Sequence, residues 1–394
     1  MSQTRGGTLL RHSIRSVPFR LGVLLVAVVG LLVPSTTASA GAGCTFRLVN
    51  HPEVGHPPFD QLYGIDARSA TDVWVVGSSG AAAKPLVLHR DGPVWSIVPS
   101  VAKGSTAELY DITEINLGNA WAVGYYLPPG GSHTRTLIEH WNGTRWSVVP
   151  SPNPISGADN FLKGVDAVSA NDIWAVGSNG RPGSKTIIEH YNGSKWVTVP
   201  GAFLQFGGDL KDVSAISRTN VVAVGARGTS SSDDALVERF DGQDWIREGV
   251  PAGATSGADL KGVSTPSASA QWAAGSRSGT AALQTLALRN TGSGWDLMDS
   301  PSVGTDKINF FSDISALSAT NAWAVGERET SNFVRRTLIA HFTNGAWKVI
   351  ASPNSGTGHN ELFGVAPPHP ATGLWTVGTA AHPIGSTGLI EYSC

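Results

Sequence analysis

Apolar residues recur along the chain in short runs parted by clusters of Gly, Asn, Asp and Ser. Between Leu162 and Val199 the runs are Leu162–Ser169, Asp172–Gly177, Lys185–Tyr191 and Trp196–Val199. Ala170-Asn171 separates the first two and Asn192-Gly193 the last two. Asn-Gly or Asp-Gly between apolar runs predicts a hairpin, because both residues tolerate positive φ. Asp91-Gly92, Asn142-Gly143 and Asp241-Gly242 recur in the same register. The pattern predicts four short antiparallel strands per unit.

That unit is repeated. Seven copies of a segment of about 16 residues begin at Leu62, Leu109, Leu162, Leu210, Leu260, Phe311 and Leu362. They end at Gly77, Gly124, Gly177, Gly225, Gly275, Gly326 and Gly378, so the end glycines recur every 47 to 53 residues. Four strands per unit of that length, repeated, predict an all-β, seven-bladed β-propeller. The last copy stops at Cys394 without a fourth strand. The segment Cys44–Pro52 aligns with Trp146–Pro152, placing Phe46 on Trp146, and is expected to close blade seven. Cys44 and Cys394 then fall where other blades have their Asn-Gly turn. They are the chain's two cysteines, and a disulfide there would replace the missing turn. Closing a loop of about 350 residues, it would stabilise the fold by up to roughly 5 kcal/mol on the chain-entropy model.

Composition agrees with strands and turns: 41% apolar, 15% charged, 47 Gly and 23 Pro. Arg5, Arg11, Arg15 and Arg20 precede or flank an apolar run from Leu21 to Val33, and Ala38 and Ala40 follow it. Residues 1–40 therefore read as a secretory signal cut after Ala40, leaving residues 41–394 as the propeller. As a helix the 13-residue run spans about 20 Å, short of a hydrocarbon core of about 30 Å. No membrane span is expected after cleavage. Without those four arginines the chain carries 24 basic and 30 acidic side chains. A net charge of −6 argues against a nucleic-acid partner, which would need a basic footprint.

The repeats account for most residues that would otherwise suggest chemistry. Twelve of the 13 Trp occupy two columns. Trp74, Trp121, Trp174, Trp272, Trp323 and Trp375 lie in second strands; Trp95, Trp146, Trp196, Trp245, Trp295 and Trp347 begin fourth strands. One ring per blade is a packing feature between neighbouring sheets. Val222 and Phe46 are the two departures, and Trp141 stands outside both columns. His89, His140, His190 and His341 share a third-strand column and cannot converge on one ion, since zinc needs ligands at about 2 Å. No nucleophile elbow, phosphate loop, HExxH or CxxC pair is present.

Function is then expected in what does not repeat, on the face carrying the long loops. Second positions of first strands supply Lys163, Lys211 and Lys261, and Arg227, Arg277 and Arg328 follow second strands. Together they predict a basic sector that could attract an anionic polymer or carboxylate. Opposite them Tyr63, Tyr110, Tyr125, Tyr126 and Phe363 predict an aromatic sector suited to a saccharide or peptide. His51, His56, His359 and His382, with Glu53 and Glu361, gather in blade seven and its closing segment as a candidate divalent-cation site. Asp111, Asp212 and Asp313 alternate with Gly64, Gly164, Gly262 and Gly364 along the channel. They would hold a hydrated cation or cap backbone amides.

The units Asp172-Ile-Trp-Ala-Val-Gly177 and Thr136–Asn153, with Glu139-His140, Asn142-Gly143 and Trp146-Ser-Val-Val-Pro-Ser-Pro152, resemble the repeat of secreted bacterial β-propeller proteins. The resemblance covers the chain beyond the signal and implies fold, not ligand. Sialidase Asp-boxes and WD40 or kelch signatures are missing, which disfavours those functions. The expected function is an exported, non-catalytic recognition module for an extracellular saccharide or protein, acting as a monomer. The alternatives are a metal-assisted hydrolase or lyase on blade seven and a cell-envelope interaction scaffold.

Overall fold

The computed structural model describes residues 45–54, 59–101, 103–180, 184–202, 204–205, 207–228, 233–280, 282–304, 307–367 and 372–394. The expected signal, Cys44 and His56 lie outside these residues. The alternating runs form seven four-stranded antiparallel sheets whose first strands line a central channel. In blade three the strands are Phe161–Ser169, Asp172–Ser178, Thr186–Tyr191 and Trp196–Thr198, within a residue or two of the apolar runs. Blade seven is composite. Asn360–Ala366, Leu374–His382 and Gly385–Ser393 are completed by Arg47–Leu48, which pairs with the last of them through Arg47 opposite Tyr392. The fold is the seven-bladed propeller that the repeats predict.

The tryptophan columns join the blades. Each second-strand ring meets, edge to face, the fourth-strand ring of the following blade. Trp74 meets Trp146 at 5.4 Å and Trp375 meets Trp95 at 5.6 Å, with ring planes 87° and 82° apart. Phe46 takes the fourth-strand place in blade seven, 6.2 Å from Trp323, and Val222 shares a buried cluster with Trp295. Such contacts add about 0.5–1.5 kcal/mol each beyond the area they bury. The histidine column is structural too. His89 stacks on Trp74 at 3.9 Å and His341 on Trp323 at 3.7 Å. Their Nε2 atoms donate to Asp72 at 2.8 Å and Asn321 at 2.9 Å.

The end glycines have a steric cause. Every first strand carries a β-bulge after its first repeat position, as where the pairing jumps from Leu162 opposite Gly177 to Gly164 opposite Val176. The bulge pushes the preceding carbonyl against the second strand. A Cβ on Gly177 would sit 1.9 Å from the Phe161 oxygen, and one on Gly77 1.9 Å from that of Gln61. No side chain fits there. Each bulge also re-aims its extra residue, as bulges do, and that residue is the one facing the channel mouth.

Candidate functional site: the channel mouth

The seven bulged residues are Tyr63, Tyr110, Lys163, Lys211, Lys261, Ser312 and Phe363, one per blade. They surround a cavity of about 90 Å³ at the mouth, floored by Asp111, Asp212 and Asp313. Three of the predicted aromatic residues, Tyr63, Tyr110 and Phe363, and the three predicted lysines are thus brought into one ring. Phe363, Tyr63, Tyr110, Tyr125 and Phe161 form a continuous arc, with successive ring centroids 5.6, 5.3, 5.7 and 5.0 Å apart. All five are partly exposed. Tyr125 donates to Glu108 at 3.0 Å and Tyr63 donates to Gln61. Burial, then the Glu108 charge, raises the pKa of Tyr63, Tyr110 and Tyr125 above the usual phenol value. Their hydroxyls stay protonated as donors. Tyr126 does not join the arc, because the alternation of the strand turns it to the opposite side. There it packs against the core between blades one and two, with Lys103 4.4 Å from its ring.

The basic sector needs correcting. Each bulged lysine leans onto the next blade and meets the residue just before the repeat there. Lys163 Nζ donates to Asp209 at 2.7 Å and Lys211 Nζ to Asp259 at 2.6 Å. Burial disfavours the Lys211 ammonium, but Asp259 and Asp209 outweigh it and its pKa rises. Lys261 instead lies 4.2 Å from the Phe310 ring, and burial lowers its pKa. Arg227 is paired with Asp234 at 2.8 Å. Arg227, Arg277 and Arg328 do not line the mouth, since each sits across the sheet from a residue before the bulge. The lysine side of the mouth is therefore largely neutralised within the ring. The acids Asp209 and Asp259 escaped the sequence reading, although their column (Gln61, Glu108, Phe161, Asp209, Asp259, Phe310, Glu361) is visibly polar for a strand that packs inward.

Among the described residues, His51, His359 and His382 are held apart. His51 Nε2 lies 3.0 Å from the Gly388 carbonyl and His382 Nε2 3.0 Å from the Thr387 hydroxyl. His359 Nδ1 accepts the Arg335 amide at 3.0 Å, and Glu361 accepts Arg335 Nη1 at 2.7 Å. Glu53 is exposed. Backbone, hydroxyl and arginine contacts hold these side chains, and no three His, Cys, Asp or Glu groups among the described residues approach closely enough to hold a metal ion. Arg335 also lies 3.2 Å from Glu327, whose pKa rises to about 8 through burial and repulsion from Glu361.

The channel aspartates are amide caps. Asp111 accepts from Ile112 and Val165, both at 2.8 Å. Asp212 accepts from Val213 and Val263, and Asp313 from Ile314 and Val365, at 2.7 to 2.9 Å. Each clips its own blade to the next. The alternating glycines make room: a Cβ on Gly164 would lie 2.7 Å from the Asp212 Cα. Burial drives these carboxyls upward in pKa, Asp313 to about 7. Asp66 and Asp166 clip two of the intervening junctions one layer below, accepting from the amides of Glu114 and Ala215. That layer walls a wider vestibule of about 460 Å³ at the other end of the channel.

No family model matches the chain, and no curated protein matches it. Solved structures match in fold. YCF48 from Cyanidioschyzon merolae superposes with a TM-score of 0.52 at 13% identity, covering 89% of this chain and 98% of that one. A structure described as YCF48 bound to D1 peptide gives 0.52 at 12%, covering 88% and 96%. An ulvan lyase, described as a new family of polysaccharide lyase, gives 0.53 at 9%, covering 87% and 95%. Among the described residues no helix is long and apolar enough to cross a membrane.

Proposed function

We propose that this protein is an exported, non-catalytic recognition module that binds an extracellular saccharide at the channel mouth. The observation that carries this reading is the arc of five partly exposed rings from Phe363 to Phe161, three of them on bulged residues. Aromatic faces beside fixed polar donors suit sugar rings. Because Lys163 and Lys211 already hold aspartates, the mouth favours a polar neutral ligand over the anionic polymer that an open lysine sector would attract. The fold neighbours include one protein bound to a peptide and one polysaccharide lyase, so the architecture accommodates both ligand classes.

The reading includes cleavage after Ala40, membership of the secreted bacterial repeat group, and a Cys44–Cys394 disulfide. Arg47 opposite Tyr392 sets a register that puts Thr45 across from Cys394, one residue from Cys44, which supports the bridge. The test is binding of the purified oxidised protein to an array of glycans and cell-wall polysaccharides. Specific, competable binding that falls at least tenfold in Tyr63→Ala, Tyr110→Ala and Lys211→Ala is expected. Binding untouched by all three would remove the mouth from the proposal. A blank array would favour the envelope scaffold with a protein partner.

A further inference from the structure

Blade one meets blade seven at the junction made from the two ends of the chain, and there the aromatic layer changes. In blades two, three, four and six a ring at the end of the third strand covers the second-strand Trp of the preceding blade. Trp141 covers Trp74 at 5.1 Å, Tyr191 covers Trp121 at 4.8 Å and Phe342 covers Trp272 at 4.7 Å. In blade one that position is Arg90, whose guanidinium lies 5.1 Å from the Trp375 ring. Beside it Arg47, on the closing strand, lies 5.8 Å from the Tyr392 ring. With Asn50 and Thr71 these residues line a groove of about 420 Å³. It lies past the end of the first strand Gln61–Ser69, whereas the mouth lies at its start.

Neither guanidinium forms an ion pair among the described residues. Arg68, Arg227, Arg239 and Arg335, by contrast, each pair with a carboxylate. Arg90 donates to the Ala70 and Pro93 carbonyls at 3.3 Å, leaving other N–H groups open. Burial disfavours its charge, and the nearby Arg47 adds repulsion. Two guanidinium groups beside aromatic rings, with no counter-ion among the described residues, keep donors open, and a planar guanidinium fork matches a carboxylate.

The geometry points to this seam groove as a binding site for a uronate, a sugar carrying a carboxylate. Arg47 and Arg90 clamp the carboxylate, the half-buried Tyr392 flanks the ring, and Thr71 and Asn50 meet its hydroxyls. The volume is in the range of small-molecule sites and too small for an extended peptide. The experiment is calorimetric titration of the full exported protein with digalacturonate, using the neutral galactose disaccharide and inorganic sulfate as comparators. Saturable, salt-sensitive binding of digalacturonate is expected, weakened at least tenfold in both Arg47→Ala and Arg90→Met. Methionine keeps an apolar cover on Trp375, and unchanged thermal unfolding confirms that these variants fold. Absence of saturable binding, or equal affinity for sulfate, would overturn the inference. So would loss in Tyr63→Ala and Tyr110→Ala with the arginine variants unaffected, an outcome that moves the ligand to the mouth and leaves the proposed function standing.

Discussion

Replacing Glu391 by Gln should change how the stability of the ring depends on pH. Glu391 lies within the third strand of blade seven, fully buried, opposite Leu48 of the closing strand. Ser352 Oγ donates to its two carboxyl oxygens at 3.0 and 2.9 Å. Burial nevertheless dominates and pushes its pKa from 4.5 to about 8. A folded-state value above the unfolded one means that the folded protein holds the proton more tightly. The associated stability is complete below about pH 4.5 and is lost as pH rises through about 8. At about 1.4 kcal/mol per pKa unit, the loss approaches an upper limit of about 5 kcal/mol above pH 8, and about 3 kcal/mol at pH 7. Gln cannot ionise and keeps an acceptor for Ser352. Urea unfolding followed by tryptophan fluorescence at pH 5 and pH 8.5 measures the difference. The Glu391→Gln variant should lie within about 1 kcal/mol of wild type at pH 5 and be more stable by several kcal/mol at pH 8.5. Glu139 and Glu238, raised by burial to about 7, titrate in both proteins and cancel in the comparison. A difference between variant and wild type that is the same at both pH values would refute the reasoning.

Two further outcomes test the architecture. Gly164→Ala should destabilise the ring by about 1–3 kcal/mol, because its Cβ would meet the Asp212 backbone at 2.7 Å; equilibrium unfolding that matches wild type would show that the first strands yield more easily than their packing implies. Cys394→Ser should lower stability by a few kcal/mol and leave a reactive thiol at Cys44, read by urea midpoint and thiol titration; an oxidised wild type with two titratable thiols would end the proposed bridge.

The fold was legible because its determinants repeat. Trp in two columns, Asn-Gly turns and an end glycine recur at one spacing, and Phe46 stands in register with them although it lies at the other end of the chain. The mouth was legible in part, since the bulged position is a repeat column and therefore points the same way in every blade. What it touches is another matter. Lys163 and Lys211 find Asp209 and Asp259 in the following copy, and a contact between copies leaves no periodic trace within either one. The contacts of the described blade-seven histidines were hidden for a related reason. His51, His359 and His382 all belong to blade seven or its closing segment, but each is held by a different backbone group or hydroxyl. Tyr126 and the three arginines turn away because alternation and position along the second strand, not proximity in sequence, decide what reaches the channel.

The clips along the channel obey a rule of parity. Aspartate and glycine alternate from Gly64 to Asp313, and each aspartate caps the amide behind itself and the one in the next blade. An alternating pattern can close without fault only on a ring with an even number of members. Seven is odd, so two like neighbours must meet somewhere, and here Gly364 meets Gly64. Among the described residues Ile65 is the corresponding one that receives no such carboxylate. The fault falls at the junction where the two ends of the chain come together, and a closing strand makes the join. A circle that looks seven-fold symmetric from its tryptophans thus has a marked origin, recorded in its channel as well as in its termini.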